Sequence, residues 1–175
     1  MAYGVFESVN PYGARLYSAI CATDVENGTV GYIDELTDGE TVIYKFVKGV
    51  AEGKLLVIVD QPAWDADTAK RSNQRKDKFK VTAGTAFRVR ELIKGEKIGI
   101  SAECVSEATR TALDNGAYLT VGTDGKFVAA ATTDNAAIFE AKVESKRTSG
   151  GIISTVGRDY GYTRIIYVAR VTTLK

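Results

Sequence analysis

No histidine occurs in the 175 residues of this chain. Histidine has the ordinary side-chain pKa nearest neutrality, and it is the usual general base and the commonest metal ligand. Its absence argues against hydrolase, transferase or metal chemistry, and the sequence assigns no catalytic residue, no metal ligand and no cofactor. Cysteine is scarce as well. Cys21 and Cys104 stand alone, too few and too far apart for a disulfide framework or a zinc site. They read as reduced, small buried hydrophobes of a protein made in a cytoplasm, with one buried disulfide between them as the alternative. No apolar run approaches the roughly 20 residues that a membrane-spanning helix needs, so no membrane partner is expected. The start, Met1-Ala-Tyr-Gly-Val-Phe-Glu7, lacks the basic and apolar regions of a secretory signal. Asn27-Gly28-Thr29 is accordingly a turn rather than a glycan acceptor.

Net charge is scarce too, at +1, but the charges are segregated. Residues 24–40 carry six acids (Asp24, Glu26, Asp34, Glu35, Asp38 and Glu40) and no base. Lys70, Arg71, Arg75, Lys76, Lys78 and Lys80 crowd the stretch 70–80 against Asp77 alone. Lys142 to Lys175 again holds seven bases against two acids. Such runs serve as solvated loops or as complementary patches that set the register between subunits. For the second role the candidates are Asp34, Glu35, Asp38 and Glu40 against Lys70, Arg71, Arg75 and Lys76 of another copy.

What is abundant is period-two alternation, the mark of half-buried strands. Leu16–Cys21, Thr41–Val47, Phe79–Val81, Phe87–Arg90 and Lys97–Ala102 all fit it. So do Ala117–Val121, Lys126–Ala130, Ile138–Ser145, Gly151–Val156 and Arg164–Val171. Lys54-Leu-Leu-Val-Ile-Val59 is continuously apolar, which suits a strand buried on both faces. Asn27-Gly28, Asp38-Gly39, Asn115-Gly116 and Asp124-Gly125 accept positive φ and predict tight hairpin turns. Helix is predicted only over about 66–78 and 106–113.

The fold class is therefore all-β and mainly antiparallel. It is a β-barrel or β-sandwich with one or two short helices and an extended N-terminal arm. The arm spans 1–13, ending at the turn Asn10-Pro11-Tyr12-Gly13. The β-rich domain spans 14–175, with a smaller barrel subdomain placed at about 93–150.

Three stretches invite chemical readings, and each has a plainer one. Asp60, Asp65 and Asp67 near Trp64 could serve acid–base work, but their spacing fits turn and helix-capping acids. Asp65-Ala-Asp67 opens like a calcium loop and then lacks its glycine and closing glutamate. Gly122-Thr-Asp-Gly125-Lys126 lacks the spacing of a phosphate loop. Arg158-Asp-Tyr-Gly-Tyr-Thr-Arg164 interleaves arginine and tyrosine as single-strand binders do. A sequence pI of 7.7 argues against extensive phosphate binding, and nucleic acid is not the expected partner.

Scattered pieces along the chain carry a resemblance. They are Gly4-Val-Phe-Glu7, Ala14-Arg-Leu-Tyr-Ser18, Asp24-Val-Glu-Asn-Gly-Thr-Val-Gly31, Gln61-Pro-Ala-Trp-Asp65 and Ser72-Asn-Gln74. Then follow Phe87-Arg-Val-Arg-Glu-Leu92, Ile100-Ser-Ala102, Tyr118-Leu-Thr120, Tyr160-Gly-Tyr162 and Tyr167-Val-Ala-Arg170. In this order they resemble a family of tailed-phage virion proteins encoded beside the major capsid protein in phages of Gram-positive hosts. The basic 70–80 segment departs from that pattern. The resemblance implies a capsid decoration or cement protein on the capsid surface, with the major capsid protein and further copies of itself, as a trimer or ring, for partners. Tyr3, Val5, Phe6 and Tyr12 are the expected capsid-contact residues of the arm. A head or tail-tube subunit and a single-stranded nucleic-acid-binding barrel are the alternatives.

Overall fold

The structure, a computed structural model, describes residues 3–9, 13–62, 79–149 and 164–175. Among these run the strands β1 (Phe6–Ser8), β2 (Leu16–Ile20), β3 (Val25–Glu26), β4 (Val30–Leu36), β5 (Ile43–Lys48), β6 (Leu55–Val59) and β7 (Lys80–Val81). They continue as β8 (Ala86–Glu91), β9 (Lys97–Ser101), β10 (Tyr118–Val121), β11 (Phe127–Ala130), β12 (Phe139–Ser149) and β13 (Arg164–Leu174). The predicted helix over 106–113 is a 3₁₀ segment, Glu107–Ala112. The one expected over 66–78 lies outside the described residues.

Two layers follow from the pairing. Strands β2-β5-β4-β6-β8 close into a barrel, and β1-β9-β13-β12-β10-β11 form an open six-stranded sheet against it. All barrel pairs are antiparallel except β2 with β5, which run parallel with Ser18 opposite Ile43. The barrel is thus built from residues 16–91, which corrects the placement at 93–150. Strands drawn from 97–149 pair instead with β13 from the end of the chain and β1 from its start, and that sheet stays open.

The apolar run of β6 explains why the layers meet where they do. Val57 and Val59 point into the barrel with Phe46, Phe87 and Val89. Leu56 and Ile58 point outward, into a second core shared with Ile98, Ile100, Leu119, Phe127 and Phe139 of the sheet. Both faces of one strand are dry, as its sequence requires. Each such side chain contributes about 1.5–3 kcal/mol by leaving water. Ring contacts finish both cores: Phe46 meets Phe87 edge-on at 5.4 Å within the barrel, and Phe127 meets Phe139 at 5.9 Å between the layers.

The turn signals divide. Asp38-Gly39 joins β4 to β5 and Asp124-Gly125 joins β10 to β11, each between paired neighbours, with glycine φ of 81° and 78°. Gly28 and Gly116 also have positive φ, yet Asn27-Gly28 joins β3 to β4, which do not pair with each other, and Asn115-Gly116 leads from the 3₁₀ segment into β10. The glycine is needed there for a crossing rather than a hairpin.

The N-terminal stretch is extended and lies on its own sheet. β1 is an edge strand, with Phe6 opposite Ile100 and Ser8 opposite Ile98. Val5 and Phe6 are 1% and 6% exposed. Their side chains are therefore core, not a surface offered to a partner.

Candidate functional site

One half-open cleft of about 240 Å³ lies where the N-terminal strand meets the barrel, lined by Val5, Phe6, Asn27, Asp60, Gln61, Pro62 and Arg88. Its polar wall is a closed set of hydrogen bonds. The Asn27 amide donates to the Gln61 carbonyl at 2.9 Å and accepts from the Gln61 N–H at 2.8 Å, the way a neighbouring strand would. Gln61 Oε1 accepts from the Arg88 N–H at 2.8 Å, and Arg88 Nε donates to the Asp60 carbonyl at 2.7 Å. The Arg88 guanidinium also lies 3.3 Å from the Asp60 carboxylate. β3 and β4 position Asn27, the end of β6 positions Asp60, and β8 positions Arg88.

Beneath this wall sits Cys104. Its thiol donates to the Val5 carbonyl at 3.4 Å and the Asn27 carbonyl at 3.6 Å. Burial pushes that thiol up to about 11. Ser101 Oγ accepts from the Val5 N–H at 3.0 Å, and Glu26 accepts from the Gly4 N–H at 2.9 Å. The cleft is a clasp between three parts of the chain, and its groups already bind one another. Its free chemistry is an apolar floor and an Asp–Arg pair at the rim, which suits holding an extended segment rather than transforming a small molecule.

The expected contact residues fall in several places. Val5 and Phe6 line the cleft floor from within the core. Tyr3 is half-buried, its carbonyl accepting from Arg164 Nη1 at 2.9 Å. Tyr12, Lys70, Arg71, Arg75 and Lys76 lie outside the described residues, as do Trp64, Asp65, Asp67 and residues 158–163. Lys80 pairs with Asp24 at 2.5 Å within the chain.

Asp34, Glu35, Asp38 and Glu40 share the tip of the β4–β5 hairpin. There Lys54 neutralises Asp34 at 2.7 Å and Lys45 neutralises Glu35 at 2.6 Å. Asp38 and Glu40 are exposed and form no ion pair or side-chain hydrogen bond among the described residues, though the Asp38 charge also acts on Lys45. Val42 beside them is 65% exposed and Leu36 41%.

A second charged face was not legible as such in the sequence. Lys142 on β12 stands directly opposite Arg170 on β13, which stands directly opposite Lys97 on β9. Tyr118 on β10 stands opposite Lys142, whose ammonium lies 5.4 Å from the ring centre. The neighbours Ala141, Val143, Ala169, Val171, Ile98 and Leu119 all point into the interlayer core. The alternation of a strand therefore turns this row to the opposite face, away from the barrel. Glu144 bridges it, 2.5 Å from Arg170 and 2.8 Å from Lys97.

Hydrogen bonds from Arg170 and then Lys97 hold the Glu144 carboxyl at about 2, below its ordinary 4.5. A lowered carboxyl stabilises the fold above its unfolded pKa, and that contribution is lost as pH falls through the folded one. Stability measured by denaturant melts should accordingly decline from about pH 5 to about pH 2 more steeply in the native protein than in Glu144→Gln. Parallel curves would mean that the bridge contributes nothing.

No protein-family model, no curated protein and no solved structure matches this chain.

Proposed function

We propose that the protein is a structural component of a tailed-phage virion that binds the outside of the assembled capsid as a decoration or cement protein. One observation carries the reading: pieces of the resemblance scattered through the chain meet at one place. Gly4-Val-Phe-Glu7, the Asn27-Gly28 turn, Gln61-Pro62, Phe87-Arg88 and Ile100-Ser-Ala102 supply all but Asp60 of the cleft lining, and much of the clasp beneath it. These five pieces share the contacts that fix the N-terminal strand to the barrel, while the pieces at 14–18, 118–120 and 167–170 lie at β2, β10 and β13.

The mechanism is mechanical. A protein that binds the assembled lattice but not its free subunits stabilises the lattice by mass action, by about 2.7 kcal/mol per site at a hundredfold excess over Kd. With Val5 and Phe6 inside the core, Tyr3 and the Asp60–Arg88 rim of the cleft remain as the contact on this side. An extended capsid segment lying along the edge of β1 would complete the cleft, as strand addition does elsewhere.

The test joins gene order to binding. The adjacent gene is expected to encode a major capsid protein, and the purified chain is expected to cosediment with expanded capsids of that protein and to raise the temperature at which they open. A neighbour of another class, with no binding to capsids, overturns the reading. Spontaneous tubes in electron micrographs would favour a tail-tube subunit instead.

A further inference from the structure

The acidic hairpin tip and the basic row on the sheet are complementary, and they cannot meet within one molecule. The tip belongs to the barrel. The row faces away from the barrel, on the far side of the sheet. Three cations stand side by side on adjacent strands, an arrangement that destabilises a sheet unless something opposes it. Among the described residues Glu144 is the one carboxylate bonded within the row, and it engages Arg170 and Lys97. Lys142 is exposed and has no carboxylate partner among the described residues. On the tip, Asp38 and Glu40 are the mirror case: two exposed carboxylates without an ion pair among the described residues, where Lys45 and Lys54 pair directly with Glu35 and Asp34 and only Lys45 acts on Asp38 at longer range.

We infer that the β4–β5 hairpin tip of one copy docks on the Lys142–Arg170–Lys97 row of the next, giving a head-to-tail assembly of this chain. Val42 and Leu36, exposed at the same tip, supply the apolar part of the contact beside Tyr118. Contacts between two different surfaces close into a ring when the rotation allows and otherwise run on as a filament. The same row of cations beside a tyrosine could suggest single-stranded nucleic acid, whose bases stack on bare aromatic faces. Here the Lys142 ammonium already lies over the Tyr118 ring. That favours carboxylates as the occupant. The inference stands apart from the capsid reading, because it concerns copies of the chain in the absence of any capsid.

The experiment is a charge swap read by sedimentation velocity. The native chain is expected to associate, and to do so about tenfold less tightly when salt is raised from about 0.05 M to about 0.5 M, because exposed charge contacts are screened. D38K/E40K and K97E/K142E should each be monomeric. A mixture of the two should recover association, since the native tip of one variant meets the native row of the other and the two reversed surfaces are again opposite in charge. Recovery on mixing shows that both variants are folded, and a melting curve of each checks this independently. A native chain that stays monomeric at low salt, or a mixture of native-like melting behaviour that fails to associate, overturns the proposal. A monomeric chain that binds an oligo-dT strand through Lys97 and Lys142 overturns it in favour of nucleic acid.

Discussion

Replacing Glu96 by alanine is expected to cost about 3–5 kcal/mol of stability, the usual consequence of stranding one member of a buried ion pair. Arg90 extends from β8 on the outer side of the barrel, opposite Ile58, and Glu96 lies on the turn before β9. Their side chains are 9% and 3% exposed. Arg90 Nη2 and Nε donate to the same oxygen, Glu96 Oε1, at 2.8 and 3.1 Å. The other oxygen, Oε2, is buried without a partner.

Desolvation raises the Glu96 carboxyl above its ordinary 4.5, and Arg90 opposes this without cancelling it. The same turn joins the layers: the Glu96 carbonyl accepts from the Val171 N–H at 2.9 Å, and the Gly95 N–H donates to the Val171 carbonyl at 2.8 Å. Without Glu96 the guanidinium is left buried and cannot shed its charge. Arg90→Met is the milder change, because a lone carboxyl can take up a proton. Arg90→Met with Glu96→Leu should come out between neutral and about 4 kcal/mol more stable than the native chain.

The sign against pH separates this site from Glu144. A carboxyl raised by folding binds its proton more tightly in the folded state. Its contribution therefore declines as pH rises from the unfolded pKa through the folded one. Glu96→Gln should gain on the native chain across that window, whereas Glu144→Gln should lose as pH climbs from the acid side. Denaturant melts at a series of pH values check both. Equal slopes for the native chain and Glu96→Gln would mean that the buried pair is not felt.

Arg90 also marks the limit of what alternation reveals. Phe87, Arg88, Val89 and Arg90 read as a strand with one wet face, and Arg88 does lie at the cleft rim. Arg90, on the side that faces the sheet, is 7% exposed because the second layer covers that end of β8. A one-dimensional pattern reports polarity, and only the tertiary partner decides whether a polar side chain meets water or an ion pair. By contrast, the unbroken apolar run of β6 admitted little but a strand between two cores, and the β10–β11 hairpin was fixed locally by its turn. The parallel pairing of β2 with β5 and the docking of β1 on β9 left no local trace, since both join segments far apart in sequence.

The candidate surfaces were legible by halves. The acids of the β4–β5 tip are contiguous in sequence, so their clustering was evident, though Lys54 as the partner of Asp34 was not. The excess of bases after Lys142 was evident as well. Its meaning was not, because Lys97, Lys142 and Arg170 become neighbours only through the order β9-β13-β12. The cleft was hidden in a similar way. Asn27, Gln61 and Arg88 each look like ordinary turn or strand residues, and only their mutual hydrogen bonds make them one structure.

Gly28→Ala is the second large effect expected, again about 3–5 kcal/mol from overpacking together with backbone strain. Gly28 has φ of 83°, where a Cβ is strained, and a Cβ built there would lie 2.5 Å from Cys104 Sγ and 3.4 Å from its Cβ. The sulfur cannot simply withdraw, since it is fully enclosed and bonded to the Val5 and Asn27 carbonyls. Moving it loosens the N-terminal strand from the barrel. Cys104→Ala alone should cost less, about 1–3 kcal/mol, through lost burial and two weak hydrogen bonds. The double variant decides the cause. If the methyl and the sulfur collide, removing the sulfur restores part of the loss, and Gly28→Ala with Cys104→Ala is more stable than the sum of the two single effects by about 1 kcal/mol or more. The remainder is the cost of the left-handed backbone, which no neighbour can relieve. Strict additivity would mean that the loss arises from the backbone alone. Thiol labelling supplies an independent reading. Cys104 should resist modification in the native chain and become reactive in Gly28→Ala well below the concentration of denaturant that unfolds the whole molecule, because the clasp that covers it is the part the methyl opens.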